Sequence, residues 1–273
     1  SNINGTKINK IFGLNIANVK KIIIEEGIEE IGNYAFYGCS SLASIDIPDS
    51  VTSIGDNAFH GAENLDLTIP ASVGSIGYKA VADVGSLEVA AGNANYASAN
   101  GVLLTKDQST LISYAAGQST YVIPGTVTAI AYEAFSGCNA LTSVAIPDNV
   151  TSLGDGAFLN CGNLSNLSLS GNCPTIPKYA FSGTGLQNMT FNGKITALDS
   201  YSFANCENLK RVTFDGKAPS LADYVFTGGV VKELYFEGDA PDSIGSNALS
   251  GLRATAYYSA ENTTWTDALL QQY

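Results

Sequence analysis

Ile47–Phe59 reads "IPDSVTSIGDNAF" and Ile146–Phe158 reads "IPDNVTSLGDGAF". A phrase written twice in one chain points to a stacked structural unit, because a site needs to be built only once. The Ala-Phe pair gives the period. It stands at Ala35-Phe36, Ala58-Phe59 and Ala80-Val81, and returns after a gap at Ala134-Phe135, Ala157-Phe158 and Ala180-Phe181. It then decays to Ser202-Phe203, Val225-Phe226 and Ala248-Leu249. Within each run the step is 23 residues, shortened twice to 22.

Other letters keep this step. Ile31-Gly32, Ile54-Gly55, Ile76-Gly77 and Leu153-Gly154 precede the pair. A cysteine or small residue follows the Phe, as at Cys39, Ala62, Cys138, Cys161, Thr184 and Cys206, with a leucine three residues on at Leu42, Leu65, Leu141, Leu164 and Leu209. Leu42, Ile45 and Ile47 alternate as a short strand with its apolar side chains on one face. Pro48 cannot donate to a ladder and stops it. Val51 and Ile54 make a second apolar stretch, Gly55 admits a tight turn, and Ala58-Phe59 fits a helical or 3₁₀ turn with the ring wedged between coils. One such unit cannot bury its own apolar face; stacked copies can, so the expected object is a solenoid.

The phrase resembles the leucine-rich repeat of the BspA-like, or Treponema pallidum, type, in which cysteine or small residues replace the usual asparagine. The resemblance covers almost the whole chain. It implies a right-handed leucine-rich-repeat solenoid over residues 1–258, with a short parallel β-strand per coil and turns or short helical segments opposite. Residues 1–24 read as a worn N-terminal cap, with Ile8, Phe12, Ile16 and Val19 in approximate phase. The period lapses over 84–119, where Gly101–Thr105 and Thr110–Tyr114 flank "KDQS" and form a β-hairpin insertion. Residues 259–273 read as a C-terminal cap, with Trp265, Leu269 and Tyr273 at helical spacing, so Trp265 is expected to be a lid over the last coil.

A charge of −12, with 13 basic and 25 acidic residues, leaves no Lys/Arg patch for phosphate and excludes nucleic acid. No apolar run is long enough to span a bilayer, and no signal-peptide pattern opens the chain. Its Ser1-Asn2 start fits a trimmed or recombinant form. The resemblance therefore supplies the localisation, extracellular or on a bacterial cell surface. Four of the five cysteines share one repeat position, where other copies carry small residues, so buried free thiols are expected. Cys138 and Cys161 on adjacent coils would lie about 5 Å apart, a spacing a disulfide tolerates. Cys173 is out of phase.

Catalysis fails on inventory. His60 is the one histidine, expected to face solvent, and nothing in the sequence sets a nucleophile or an orienting acid beside it. Metal-ligand spacing is absent, no carboxylate pair stands out for glycoside hydrolysis, and no cofactor is called for. What remains is the strand face. Alternation turns Lys21 and Ile23, Ser44 and Asp46, Asp66 and Thr68, and Ser86 and Glu88 away from the core. The series continues through Thr120 and Val122, Ser143 and Ala145, Asn166 and Ser168, and Asn188 and Thr190, and ends at Arg211 and Thr213 and at Glu233 and Tyr235. The candidate binding residues are Arg211, Thr213, Glu233, Tyr235, Asn166 and Asn188, with Arg and Tyr the usual anchors of an interface. The resemblance implies a monomeric, non-catalytic adhesion module for a protein or glycoprotein ligand, such as host extracellular matrix. A carbohydrate-binding module and an architectural spacer are the alternatives.

Overall fold

The computed structural model describes residues 18–115, 117–169 and 172–266, together with a strand at Lys7–Ile8. Two compact units divide the chain, Ser1–Gly117 and Gln118–Tyr273. Each is a parallel β-solenoid, and no α-helix occurs among the described residues. The cap residues Phe12, Ile16, Leu269 and Tyr273 lie outside the described residues.

In the first unit each coil contributes a face strand and a short strand opposite. They run β1 (Lys7–Ile8), β2 (Lys21–Ile23), β3 (Glu30–Ile31), β4 (Ser44–Asp46), β5 (Ser53–Ile54), β6 (Asp66–Ile69), β7 (Ser75–Ile76) and β8 (Ser86–Val89). The even-numbered strands form one parallel ladder, β2-β4-β6-β8, and the odd-numbered ones another, β1-β3-β5-β7. Parallel neighbours one repeat apart pair residue for residue, Lys21 with Ser44 and Ile23 with Asp46. The insertion holds three antiparallel strands where two were expected: β9 (Tyr96–Ala99) pairs with β10 (Val102–Thr105), and β10 with β11 (Thr110–Tyr114). "YASA" was missed because its side chains are uniformly half-buried and show no alternation.

The second unit adds β12 (Thr120–Val122), β13 (Ala129–Ile130), β14 (Ser143–Ile146), β15 (Ser152–Leu153), β16 (Asn166–Leu169) and β17 (Thr175–Ile176). It continues with β18 (Asn188–Asn192), β19 (Ala197–Leu198), β20 (Arg211–Asp215), β21 (Ser220–Leu221), β22 (Glu233–Phe236) and β23 (Thr255–Tyr258). Its strand face consists of two ladders, β12-β14-β16 and β18-β20-β22-β23.

The phenylalanines pile into a column in each unit. Phe36 stacks on Phe59 at 5.4 Å in the first. In the second, Phe135, Phe158, Phe181 and Phe203 follow one another at 4.7, 5.3 and 5.4 Å. All are fully buried, which is the apolar edge that each coil hides against the next.

The Ala-Phe segment is not helical. Its alternate amides close turns within the coil, Ala35 to Gly32 at 3.2 Å and Tyr37 to Tyr34 at 3.3 Å. The intervening amides reach the next coil, Phe36 to the Ala58 carbonyl at 2.7 Å and Gly38 to His60 at 2.8 Å. A helix would need all of them internally. The geometry is set by left-handed residues on either side of the pair, Tyr34 and Gly38 at φ 58° and 69°, and Tyr179 and Gly183 at 57° and 69°. Positive φ at the third residue of a turn is the type II signature. Gly55 has a different reason from the tight turn expected of it. A Cβ there would meet the Asn33 amide of the preceding coil at 2.6 Å, so glycine lets two backbones touch.

All five cysteines are buried, and none is in a disulfide. The Cys161 thiol donates to the Phe135 carbonyl at 2.9 Å and Cys206 to that of Phe181 at 3.2 Å, each one coil back. Cys173 donates likewise to Val150 at 3.2 Å. Burial raises the thiols of Cys39 and Cys206, and that of Cys173 to about 11.

His60 does not face solvent as expected. Tyr37 holds the equivalent position one coil back, and its ring covers His60 at 5.3 Å and 9°. Nε2 lies 3.7 Å from Asp83, and Nδ1 is buried without a hydrogen-bond partner. Burial lowers the His60 pKa against the opposing pull of Asp83.

Candidate functional site: the strand face of the second unit

Alternation sorts the face as the repeat dictates. In β18 and β20 the inward Met189, Phe191, Val212 and Phe214 are buried while Asn188, Thr190 and Arg211 are exposed. Phe191, Phe214 and Phe236 form a second stacked column beneath, at 5.5 and 4.9 Å, and the Trp265 ring closes it against Phe236 at 4.7 Å. The Trp265 indole N–H donates to the Gly238 carbonyl at 3.3 Å. The face therefore stands on a stiff floor.

Parallel register lines up its outward residues in two rows. Asn188, Arg211, Glu233 and Thr255 form one; Thr190, Thr213, Tyr235 and Tyr257 form the other. Arg211 donates to Glu233 Oε2 from both Nε and Nη2, each at 2.7 Å. That hydrogen bond, followed by the charge of Glu233, raises the Arg211 pKa further. The guanidinium lies 5.1 Å from the Tyr235 ring centre, and Tyr257 stacks on Tyr235 at 4.5 Å and 9°. Exposed ion pairs contribute little stability, so this cluster serves mainly to hold a cation, a carboxylate and two aromatic rings in fixed positions.

The structure thus brings Arg211, Thr213, Glu233 and Tyr235 together. Asn166 sits apart from that cluster, while Asn188 stands in register beside Arg211 at its edge. They line an open groove of about 480 Å³ with Ser143, Ser168 and Gln187. Tyr257 was missed because the Ala-Phe landmark has faded by then, yet one more 22-residue step from Tyr235 lands on it. The first unit's face differs in charge: Lys21 pairs with Asp46 at 2.9 Å, Ser86 donates to Asp66 at 2.7 Å, and Glu88 stands in register with Thr68.

No group of three or more His, Cys, Asp or Glu side chains able to hold a metal ion occurs among the described residues. Nor is any helix there long and apolar enough to cross a membrane.

The BspA type leucine rich repeat region matches residues 6–99 and 113–255, in six copies. The chain belongs to that family. Among curated proteins none matches it. Its fold is similar to a leucine rich cell surface protein of Faecalibacterium prausnitzii, with 26% identity and a TM-score of 0.64 over 88% of this chain and 60% of the other. This chain therefore spans less than two thirds of that protein. The pneumococcal vaccine antigen PcpA shares the fold at 21% identity and TM-score 0.68, over 88% of this chain and 68% of that one. A leucine-rich repeat protein of Eubacterium ventriosum does so at 24% identity and TM-score 0.57, over 94% and 92%.

Proposed function

We propose that this chain is a non-catalytic, surface-displayed binding module of a bacterium, which adheres to a protein or glycoprotein through the strand face of its second unit. One observation carries the reading: exposed Arg211 and Tyr257 and half-buried Glu233 and Tyr235 form a mutually braced cluster on a rigid phenylalanine floor. Arg and Tyr dominate interface energetics, and pre-arranged side chains give up little entropy on docking. The similarity to a leucine rich cell surface protein supports display on a cell. Sugar recognition on Tyr235 is the weaker alternative, since Arg211 and Tyr257 both pack against the ring that would have to stack on a pyranose.

Surface plasmon resonance against purified matrix proteins and mucosal glycoproteins tests it. Arg211→Ala and Tyr235→Ala should each weaken capture about 30-fold, the range of an interface anchor. Capture unchanged by both variants, or no capture of any of them at micromolar concentration, would reject the reading.

A further inference from the structure

The strand face of the second unit is interrupted. Its ladders β12-β14-β16 and β18-β20-β22-β23 are separate, and no pairing joins β16 to β18 among the described residues. The same two coils stay tied on the turn side. Phe181 donates to Ser202 at 2.9 Å and Gly183 to Ala204 at 2.8 Å, and Phe181 stacks on Phe203 at 5.4 Å. The coils are closed at the turns and open at the strands.

Burial tells the same story independently. Val144 and Ile146 in β14 are buried, as are Met189 and Phe191 in β18, but the equivalent Leu167 and Leu169 of β16 are only half-buried. Leu167 lines the open groove of about 480 Å³ there. In a parallel strand alternate residues serve alternate edges. Ser44 donates back to Lys20 at 3.1 Å while Ile24 donates forward to Asp46 at 3.0 Å, and Asn166 donates back to Thr142 at 3.2 Å. The same alternation turns the main-chain amides and carbonyls of Leu167 and Leu169 into the seam, facing those of Asn188 and Thr190. Such a polar row is a template for an added strand, and leaving it unmet beside apolar side chains is costly.

The groove's side chains, Ser143, Ala145, Asn166, Ser168, Gln187 and Asn188, carry no charge, although the chain as a whole carries −12. We propose that the seam accepts an extended, uncharged segment of a protein partner as an added strand beside the four residues of β16. Its apolar side chains turn in over Leu167 and Leu169, and its polar ones turn out beside Asn166 and Asn188. Main-chain bonds give the affinity and the two leucines give the preference. This inference rests on the proposed binding function and adds the conformation and chemistry of the bound segment.

Amide NMR on the isotope-labelled chain tests it, with the capped peptide TSVAIP, the sequence of Thr142–Pro147, as the probe. In the free chain the amides of Leu167, Leu169, Asn188 and Thr190 should exchange at least about tenfold faster than those of Val144 and Val212, which sit in intact ladders. Millimolar peptide should slow all four, and Leu167→Asp should abolish that effect. Seam amides already as slow as Val144 in the free chain would overturn the inference without any variant. Perturbation by the peptide only at Arg211 and Tyr235, or nowhere, would overturn it too while leaving the adhesion reading to its own Arg211→Ala test.

Discussion

Replacing Phe158 with alanine removes an inner ring of a five-ring column. The side chain is fully buried and stacks on Phe135 at 4.7 Å and on Phe181 at 5.3 Å. Truncating a buried Phe costs about 3–5 kcal/mol, and each lost ring pair contributes about 0.5–1.5 kcal/mol within that sum. Phe226 is equally buried but stands at the end of the same column, touching one ring, Phe203, at 6.0 Å and a tilted angle. Phe158→Ala should therefore be the costlier change, by about 1 kcal/mol. Coil stability depends on nearest neighbours, so it should also speed amide exchange in the coils on both sides, whereas Phe226→Ala should affect mainly the coil before it. Urea unfolding followed by circular dichroism, with native-state hydrogen exchange for localisation, measures both. A Phe158→Ala cost below about 1.5 kcal/mol, or one no larger than that of Phe226→Ala, would refute stacking as the source of cohesion.

Gly228 adopts φ 69°, and a Cβ there would run into the Asn205 side chain of the neighbouring coil; Gly228→Ala should cost about 1–2 kcal/mol in urea unfolding. Burial lowers the His60 pKa, so the unfolded chain takes up its proton first as pH falls through about 6.5. Stability is then lost from there down to the folded-state pKa, and His60→Gln should remove that component of the pH profile. With the Cys173 thiol raised to about 11 by burial, the five buried cysteines should resist a thiol reagent in the native chain and all react after denaturation. Rapid native labelling of any of them would contradict their placement.

Most of the fold was legible because two independent periods coincide in the letters. The 23-residue step of Ala-Phe gives the coil, and the alternation of Leu42, Ile45 and Ile47 gives the strand. What the letters hid was the direction of individual amides. Ala58-Phe59 reads as helical by composition, yet its backbone alternates between closing a turn and reaching the next coil, a choice that depends on a neighbour one repeat away. The same blindness applied to His60: a variable position looks exposed until the ring of Tyr37 lies over it. Arg211, Glu233 and Tyr235 could be placed on one face by alternation alone, but their mutual bonds needed the register, and Tyr257 needed the period carried one coil beyond its last clear landmark.

Cohesion and recognition are divided between the two sides of a coil. On the turn side, every second amide crosses to the next coil and the phenylalanines stack without a break from Phe135 to Phe203. On the strand side the ladder can lapse, as between β16 and β18, and the two coils stay in contact because the Phe181–Phe203 contact and its flanking hydrogen bonds persist. A strand side relieved of holding neighbours together is free to vary its outward residues and its pairing. The outward positions of the second unit use that freedom twice within a few coils, once for a braced Arg-Glu-Tyr-Tyr cluster and once for an open, uncharged seam. If the amides of Leu167 and Leu169 exchanged as slowly as that of Val144 in the free chain, that division of labour would be wrong, because the strand side would then hold the coils together as firmly as the turns do.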